Sequence, residues 1–387
     1  MDNLLILNGN VITDGNIKKS NILVKDGIIF DADFAGEIPD NCRVIDATDK
    51  YVSPGFIDLH VHGGGGYDFM DCTVEAFKNI SRTHLLNGAT TIVPTAVSSE
   101  FSSIIKLIQT YKEAIEMCPN FYGIHLEGPY ISKAQKGAHK EHLLHAPTTE
   151  ETEELLAEGK GILTRITAAP ELDGMDEFAE VMMKNGVLMS IGHSDATSDI
   201  ASEAFRKGFS HVTHLYSATP TVRKINQVVK AGVIEAAYLD DNVTVELIAD
   251  GCHAAVDALK LAVKIKGTGK VALVTDALRP AGEDVTESWL GEKVPENRVI
   301  IEDGVAKLPD RSSFAGSIAT AATLLEKGVN HYGFSIADTV KMITETPASV
   351  LGLRDRGVIK NGCRADIVVF DKELKVNNVF IRGKEYI

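Results

Sequence analysis

The stretch Phe56-Ile57-Asp58-Leu59-His60-Val61-His62, followed by Gly63-Gly64-Gly65-Gly66, sets the reading of this chain. Its apolar run fits a strand buried on both faces, as in a parallel sheet covered by helices. Residues two apart in a strand share a face, so His60 and His62 point together to one side. The glycines that follow remove side chains where a ligand or an ion needs room. Taken alone, His-x-His is more often structural or chance than functional, so the weight rests on what recurs downstream.

What recurs is a strand followed by a helix. Buried-type strand runs return at Thr90–Val97, Phe121–Glu127, Ile162–Ala168, Val187–His193, His211–Tyr216, Thr244–Ala249 and Val271–Thr275. Between them, Phe101–Met117, Asp176–Asn185, Ile200–Lys207 and Ala254–Lys264 carry apolar residues at helical spacing. Gly88, Gly123, Gly186 and Gly208 stand where helices should end. Eight such units in series specify an α/β fold of the (β/α)8 TIM-barrel type over residues 54–353. An open doubly wound sheet is the competitor, and the count of eight disfavours it. Polar stretches at Ser132–Thr149 and Gly282–Arg298 follow strands three and eight, where a barrel builds walls or lids for its site.

The two ends of the chain read differently. Leu4–Leu7, Asn21–Val24, Ile28–Asp31 and Arg43–Asp46 are short strands, with Asp26-Gly27 a hairpin signal. Val358–Ile359, Asp366–Phe370 and Val379–Ile381 have the same texture. Neither end is long enough to bury a core alone, so residues 1–53 and 354–387 are expected to pair as one small β-sandwich domain. Separate decorations of the barrel are the alternative.

Lys and Arg total 39 against 54 Asp and Glu, a net charge of −15 over 387 residues. That balance argues against a nucleic-acid surface, which needs clustered positive charge. A small anion held by one or two local cations is compatible with it. The start of the chain lacks the basic, apolar and small-residue order of a secretory signal, and no apolar run suggests a membrane span. Five cysteines, scattered and without a CxxC pair, suit free thiols in a reducing cytoplasm.

The chemistry-bearing residues fall at strand ends. Strand three ends in His125-Leu126-Glu127-Gly128-Pro129, strand five in Gly192-His193-Ser194-Asp195, strand six in Thr213-His214-Leu215, and strand eight in Val274-Thr275-Asp276-Ala277. Each singly is as readily a hydrogen-bonded structural residue as a ligand. Together, His60, His62, Glu127, His193, His214 and Asp276 stand at the same end of five strands, which in a barrel converge on one mouth. Imidazoles with carboxylates suit Zn²⁺ or another first-row divalent ion.

With those motifs in place, the sequence resembles the amidohydrolase superfamily, the closing Gly362-x-x-Ala365-Asp366-Ile367-Val368 included. More narrowly, Pro54-Gly55-Phe56-Ile57-Asp58, Leu126-Glu127-Gly128-Pro129-Tyr130, Lys136-Gly137-Ala138-His139, Ala249-Asp250-Gly251-Cys252-His253 and Val274-Thr275-Asp276-Ala277 are similar to the N-acetylglucosamine-6-phosphate deacetylase family. That resemblance implies a metal-dependent removal of acetate from an amino-sugar phosphate, with Glu127, His193 and His214 holding the principal ion. His60 and His62 would hold a second with Glu127 and Asp276, the metal being Zn²⁺, Fe²⁺ or Mn²⁺. It implies Asp276 as general base and then acid, His253 as oxyanion donor, and substrate contacts at Ala138, His139, Ser217, Ala218, Gly251, Cys252, His253, Phe314, Ala315 and Gly316. It also implies a homodimer in which Arg223 reaches the phosphate of the neighbouring subunit.

The chain departs from the family around the substrate. Ser217 replaces an Asn, no Pro-Gly follows Arg223, Ala319 breaks the usual Gly-Ser-x-Leu-Thr, and Lys140-Glu141 follows His139. Lys224 and Arg279 are rivals to Arg223 for the phosphate, and each is as readily a surface charge. Removal of acetate from N-acetylgalactosamine 6-phosphate, another N-acyl hydrolysis, and a non-enzymatic scaffold are the competing functions. The intact ligand set speaks against the last.

Overall fold

The computed structural model describes residues 3–387, and two hydrophobic cores organise it. The larger surrounds eight parallel strands: Phe56–Val61, Ala89–Val97, Ile124–Glu127, Leu163–Ala168, Leu188–Ile191, His211–Val212, Thr244–Ile248 and Val271–Val274. Each pairs with its neighbour in chain order. Strands one and eight close the ring through a parallel bridge between Val61 and Ala277 and through Thr275 Oγ1 donating to Asp58 Oδ2 at 2.6 Å. The α/β barrel is therefore as the alternation predicts.

Helices form where the sequence supplies a cap and an apolar stripe. Thr73 caps Val74–Leu86 by accepting from the Ala76 amide, and Ala76, Phe77 and Ile80 face the strands. Gly88 and Gly186 follow helix ends with φ of +88° and +83°, and Gly208 closes Ser198–Lys207 at +117°. These are left-handed positions that favour glycine. Gly123 corrects that expectation: it lies well past the helix end at Cys118 and instead sits against Thr164 on the neighbouring strand.

Several strands are shorter than the apolar runs. Strand six stops at Val212 because the chain turns through His214, Tyr216 and Ala218, all at positive φ. Strand five likewise stops before His193, at φ +48°. The segment after strand eight is a four-stranded antiparallel sheet: Glu287–Trp289, Arg298–Glu302, Val305–Lys307 and Phe314–Ser317.

The smaller core joins the chain's two ends. Asn3–Thr13 pairs antiparallel with Asn16–Lys25, and parallel with Cys42–Asp46 and then Tyr51–Pro54. Tyr51–Pro54 pairs antiparallel with Ile367–Phe370, which pairs with Val376–Ile381. Leu4, Ile6, Val24, Val52, Ile367 and Phe380 fill the interior. The Asp26-Gly27 turn joins strands ending at Lys25 and starting at Ile28. Val358 and Ile359, expected as a strand, are loop, and Ile359 packs into this core from there. Among the described residues no helix is long and apolar enough to cross a membrane.

Gly88 gives the fold a direct test. A Cβ there would stand 2.6 Å from the Phe56 ring, in a backbone conformation that L residues avoid. Gly88→Ala is expected to lose about 1–3 kcal/mol, measured by urea denaturation; a change under about 0.5 kcal/mol would mean the turn is free to move.

Candidate metal centre

Glu127 ends strand three, buried, and histidines from four other segments converge on its carboxylate. Its Oε1 lies 2.8 Å from His214 Nε2 and 3.2 Å from His193 Nε2. Its Oε2 lies 3.2 Å from His62 Nε2 and 3.5 Å from His139 Nε2, and His60 Nε2 is 3.5 Å from Oε1. Asp276 Oδ1 faces the same cluster, 3.3 Å from His62 and 3.5 Å from His60. His60 and His62 stand 3.1 Å apart at Nε2, the shared face that strand periodicity requires. The six strand-end residues picked out by sequence thus meet at one point.

Backbone geometry delivers them. His193, His214 and Asp276 have φ of +48°, +26° and +50°. Non-glycine residues in this region cost on the order of 1–3 kcal/mol each and gather at functional sites. The turns fold each side chain back over the barrel mouth.

The ring tautomers show what the centre needs. His193 Nδ1 is 2.8 Å from the Gln135 carbonyl and His214 Nδ1 is 3.1 Å from the Ser217 carbonyl. A carbonyl only accepts, so Nδ1 carries the proton on both rings and the neutral ring offers a lone pair at Nε2. Each lone pair faces a Glu127 oxygen, an arrangement that repels unless a cation stands between. The titration behaviour agrees. Burial opposes charge on His62, yet Asp276 and Glu127 raise it to about 9, and His60 is raised well above its ordinary value despite burial. Burial pushes Glu127 upward, but His60 and the surrounding rings hold it well below the usual carboxylate range. Asp276 is likewise held low against burial, by His60 and His62. A buried, anionic group of imidazoles and carboxylates with outward hydrogen bonds from the ligands fits a divalent ion. His60, His62 and Glu127 form one such group, and Glu127, His139 and His193 another.

Above the cluster is a cavity of about 280 Å³, at the small end of ligand sites, so it suits a small molecule. Ala138, His139, Ser217, Ala218, His253, Phe314, Ala315 and Gly316 line it. His253 Nδ1 is 2.7 Å from Asp250 Oδ2, and its ring lies 4.9 Å from that of Phe314. Gly251 and Cys252 are not among the lining residues: the Gly251 amide donates to Tyr332, and Cys252 Sγ faces the Asp303 carbonyl. Arg223 is also away from the cavity, paired with Asp195 through its side chain and carbonyl. Arg279 is buried in a two-pronged pair with Asp71, which removes it as a free cation. Lys224 lies exposed on a hairpin of Arg223–Ile225 and Val228–Lys230. Among the described residues lining the cavity there is no Lys or Arg.

Sequence reading passed over Gln135, whose carbonyl orients His193, and Ser98, whose hydroxyl lies 2.8 Å from His139 Nδ1. Neither residue type signals such a role. It also passed over Glu246 and Arg165, both fully buried beneath the cluster. Opposite charges in the middle of two apolar strands, Thr244–Ile248 and Leu163–Ala168, were an available signal.

The amidohydrolase family profile matches residues 51–386. An N-acetylglucosamine-6-phosphate deacetylase of Bacillus subtilis is 30% identical over 99% of this chain and 96% of its own. An N-acetylgalactosamine-6-phosphate deacetylase of a Shewanella species is 30% identical over the same shares. A Mycobacterium smegmatis N-acetyl-D-glucosamine-6-phosphate deacetylase mutant, solved with N-acetyl-D-glucosamine-6-phosphate, superposes with a TM-score of 0.91 at 28% identity, covering 100% of this chain and 99% of that one. With its full-length match and its buried cluster of histidines and carboxylates, the chain belongs to the amidohydrolase family and is a metal-dependent hydrolase.

Proposed function

We propose that this enzyme hydrolyses the N-acetyl group of N-acetylglucosamine 6-phosphate, giving glucosamine 6-phosphate and acetate. The observation that carries the reading is Asp276, buried at the edge of the histidine cluster and facing a cavity of small-molecule size. The full-length likeness to amino-sugar-phosphate deacetylases supplies the substrate class.

Glu127, His193 and His214 would hold one ion, and His60 and His62 a second beside Glu127, with Zn²⁺ favoured over Fe²⁺ or Mn²⁺ by the donor set. When bound, such an ion supplies Lewis acidity toward water and the amide oxygen. Asp276, held in its ionised form, takes the proton of the attacking water as the water adds to the acetyl carbon. The same carboxyl then gives that proton to the departing nitrogen, which cannot leave as an amide anion near neutral pH. Asp250 accepts from His253 Nδ1, so the ring presents an N–H at Nε2 only as the imidazolium, for which Asp250 is the countercharge. In that form His253 donates to the oxyanion, an interaction worth about 3–4 kcal/mol per donor. Ala138, His139, Ser217, Ala218 and Phe314 to Gly316 enclose the sugar.

The phosphate needs a cation that the cavity lining does not supply. The reading assigns it to Arg223 of a second copy, in a cytoplasmic homodimer. Arg223 opens a hairpin whose Val228 and Val229 are exposed, which supports a contact between subunits there. The five free cysteines are in keeping with a reducing compartment.

Acetate release from N-acetylated sugars, with and without 6-phosphate, tests the substrate on protein loaded with Zn²⁺, Mn²⁺ or Fe²⁺. N-acetylglucosamine 6-phosphate should turn over, and Asp276→Asn should lower kcat by about 10²–10⁴-fold with the ion assigned to Glu127, His193 and His214 retained. Silence on every sugar phosphate by metal-loaded protein would sink the reading and direct the search to other N-acyl compounds. Turnover of N-acetylgalactosamine 6-phosphate in preference would move the assignment to the sister sugar.

Arg223→Ala tests the phosphate contact separately. KM for the phosphorylated sugar should rise at least about tenfold, the loss of one charged hydrogen bond. The unphosphorylated sugar should be unaffected, and equal loss on both would remove Arg223 from the site.

A further inference from the structure

Beneath the histidine cluster lies a second set of buried polar groups that the reaction above does not use. Glu246 on strand seven and Arg165 on strand four are both inaccessible to solvent, joined at 2.7 Å between Oε2 and Nη1. Arg165 also donates to the Leu59 carbonyl at 3.3 Å and to Thr213 Oγ1 at 2.7 Å. Glu246 Oε1 lies 2.8 Å from His60 Nδ1 and accepts the His214 amide at 3.2 Å, while Oε2 lies 3.3 Å from His211 Nε2. A buried ion pair is weak evidence of stabilisation, because desolvating both charges offsets their attraction. Apolar side chains ordinarily fill this layer of a barrel. The pair therefore calls for another reason.

The histidines of the cluster are secured in different ways, His139 by the Ser98 hydroxyl. His193 and His214 rest their Nδ1 atoms on backbone carbonyls, which no substitution in the barrel floor removes. Among the described residues His60 alone of these rings rests on a charged side chain, and His62 Nδ1 has no partner. An acceptor at His60 Nδ1 keeps the proton there and leaves the Nε2 lone pair facing His62, Glu127 and Asp276. Arg165 holds the Glu246 carboxylate in place from the other side.

We propose that Glu246, held by Arg165, is the positioning residue that makes His60 a metal ligand, so that this buried pair decides whether the His60–His62 half of the centre holds its own ion. The inference rests on the metal reading of the preceding section. It assigns the rings of the two halves different supports, backbone carbonyls for the Nδ1 atoms of His193 and His214 and the Glu246–Arg165 pair for that of His60, with Glu246 reaching the other half only at the His214 backbone amide.

The test is Zn²⁺ uptake by metal-free full-length protein, by calorimetric titration and elemental analysis, with Co²⁺ absorption as a second readout. Wild type should take up two equivalents and His60→Ala one. In Glu246→Gln the amide oxygen turns to Arg165 and the NH₂ faces His60 Nδ1, which drives the ring proton to Nε2. That variant should bind the second ion about 10–100-fold more weakly, with the first ion weakened less, because the new NH₂ meets the His214 backbone amide and not its ring.

Two charge-free double variants guard against misfolding from a lone buried charge. Arg165→Met with Glu246→Gln frees the amide oxygen for His60 and should restore the second ion. Arg165→Met with Glu246→Met removes the acceptor and should lose it. Equal second-ion affinity in the two doubles, or parallel loss of both ions, would overturn the proposal. A wild type that takes up a single ion overturns it too and leaves the metal reading standing; no uptake at all would remove the metal reading itself.

Discussion

The Glu127 carboxylate and the imidazole nitrogens around it form the contact on which the upper half of the barrel depends. Five rings point Nε2 at two oxygens within 3.5 Å. Rings whose Nδ1 protons are already committed to carbonyls present lone pairs to those oxygens, so the arrangement is repulsive without positive charge. Protons satisfy it in part, as the upward displacement of His60 and His62 shows. A divalent ion satisfies it more fully, because it accepts several lone pairs at once. The positive-φ turns at His193, His214 and Asp276 are strain held by this demand, and the strand shortening at five and six follows from the same turns.

Much of this was legible in the sequence because strand periodicity is two and barrel strands share a direction. His-x-His fixes a common face, and a polar residue closing an apolar run marks a strand end. Eight parallel strands then bring those ends together. The terminal strands were legible too, since Asp26-Gly27 marks a hairpin and neither end of the chain is long enough to bury a core without the other.

What was not legible has physical reasons. The four-stranded sheet from Glu287 to Ser317 is built of short strands with partly exposed residues, so its pairing comes from backbone hydrogen bonds that leave little pattern. Val358–Ile359 reads as a strand by residue type, yet burial of Ile359 in the sandwich interior is satisfied by a loop. The supports at Gln135 and Ser217 are backbone carbonyls, which every residue possesses, so no side chain could announce them. Arg223 was readable as a cation and not as a partner of Asp195, since that pairing depends on a turn of the strand-six loop.

These differences divide the site into a floor and walls with unequal freedom to change. The floor is fully buried and tied to five strands through Leu59, Arg165, Ser190, Thr213 and Glu246, so a substitution there strands a charge or a polar group away from water. The walls are segments after strands three, six and eight, where Lys140 and Ser217 are partly exposed and Ala319 is buried. Loops of this kind accept substitution without loss of the scaffold. A chain can therefore keep its hydrolytic centre intact while its sugar and phosphate contacts drift. That is why the strand-end histidines and carboxylates were the firmest part of the sequence reading, and why the proposed phosphate contact is sought outside the cavity lining.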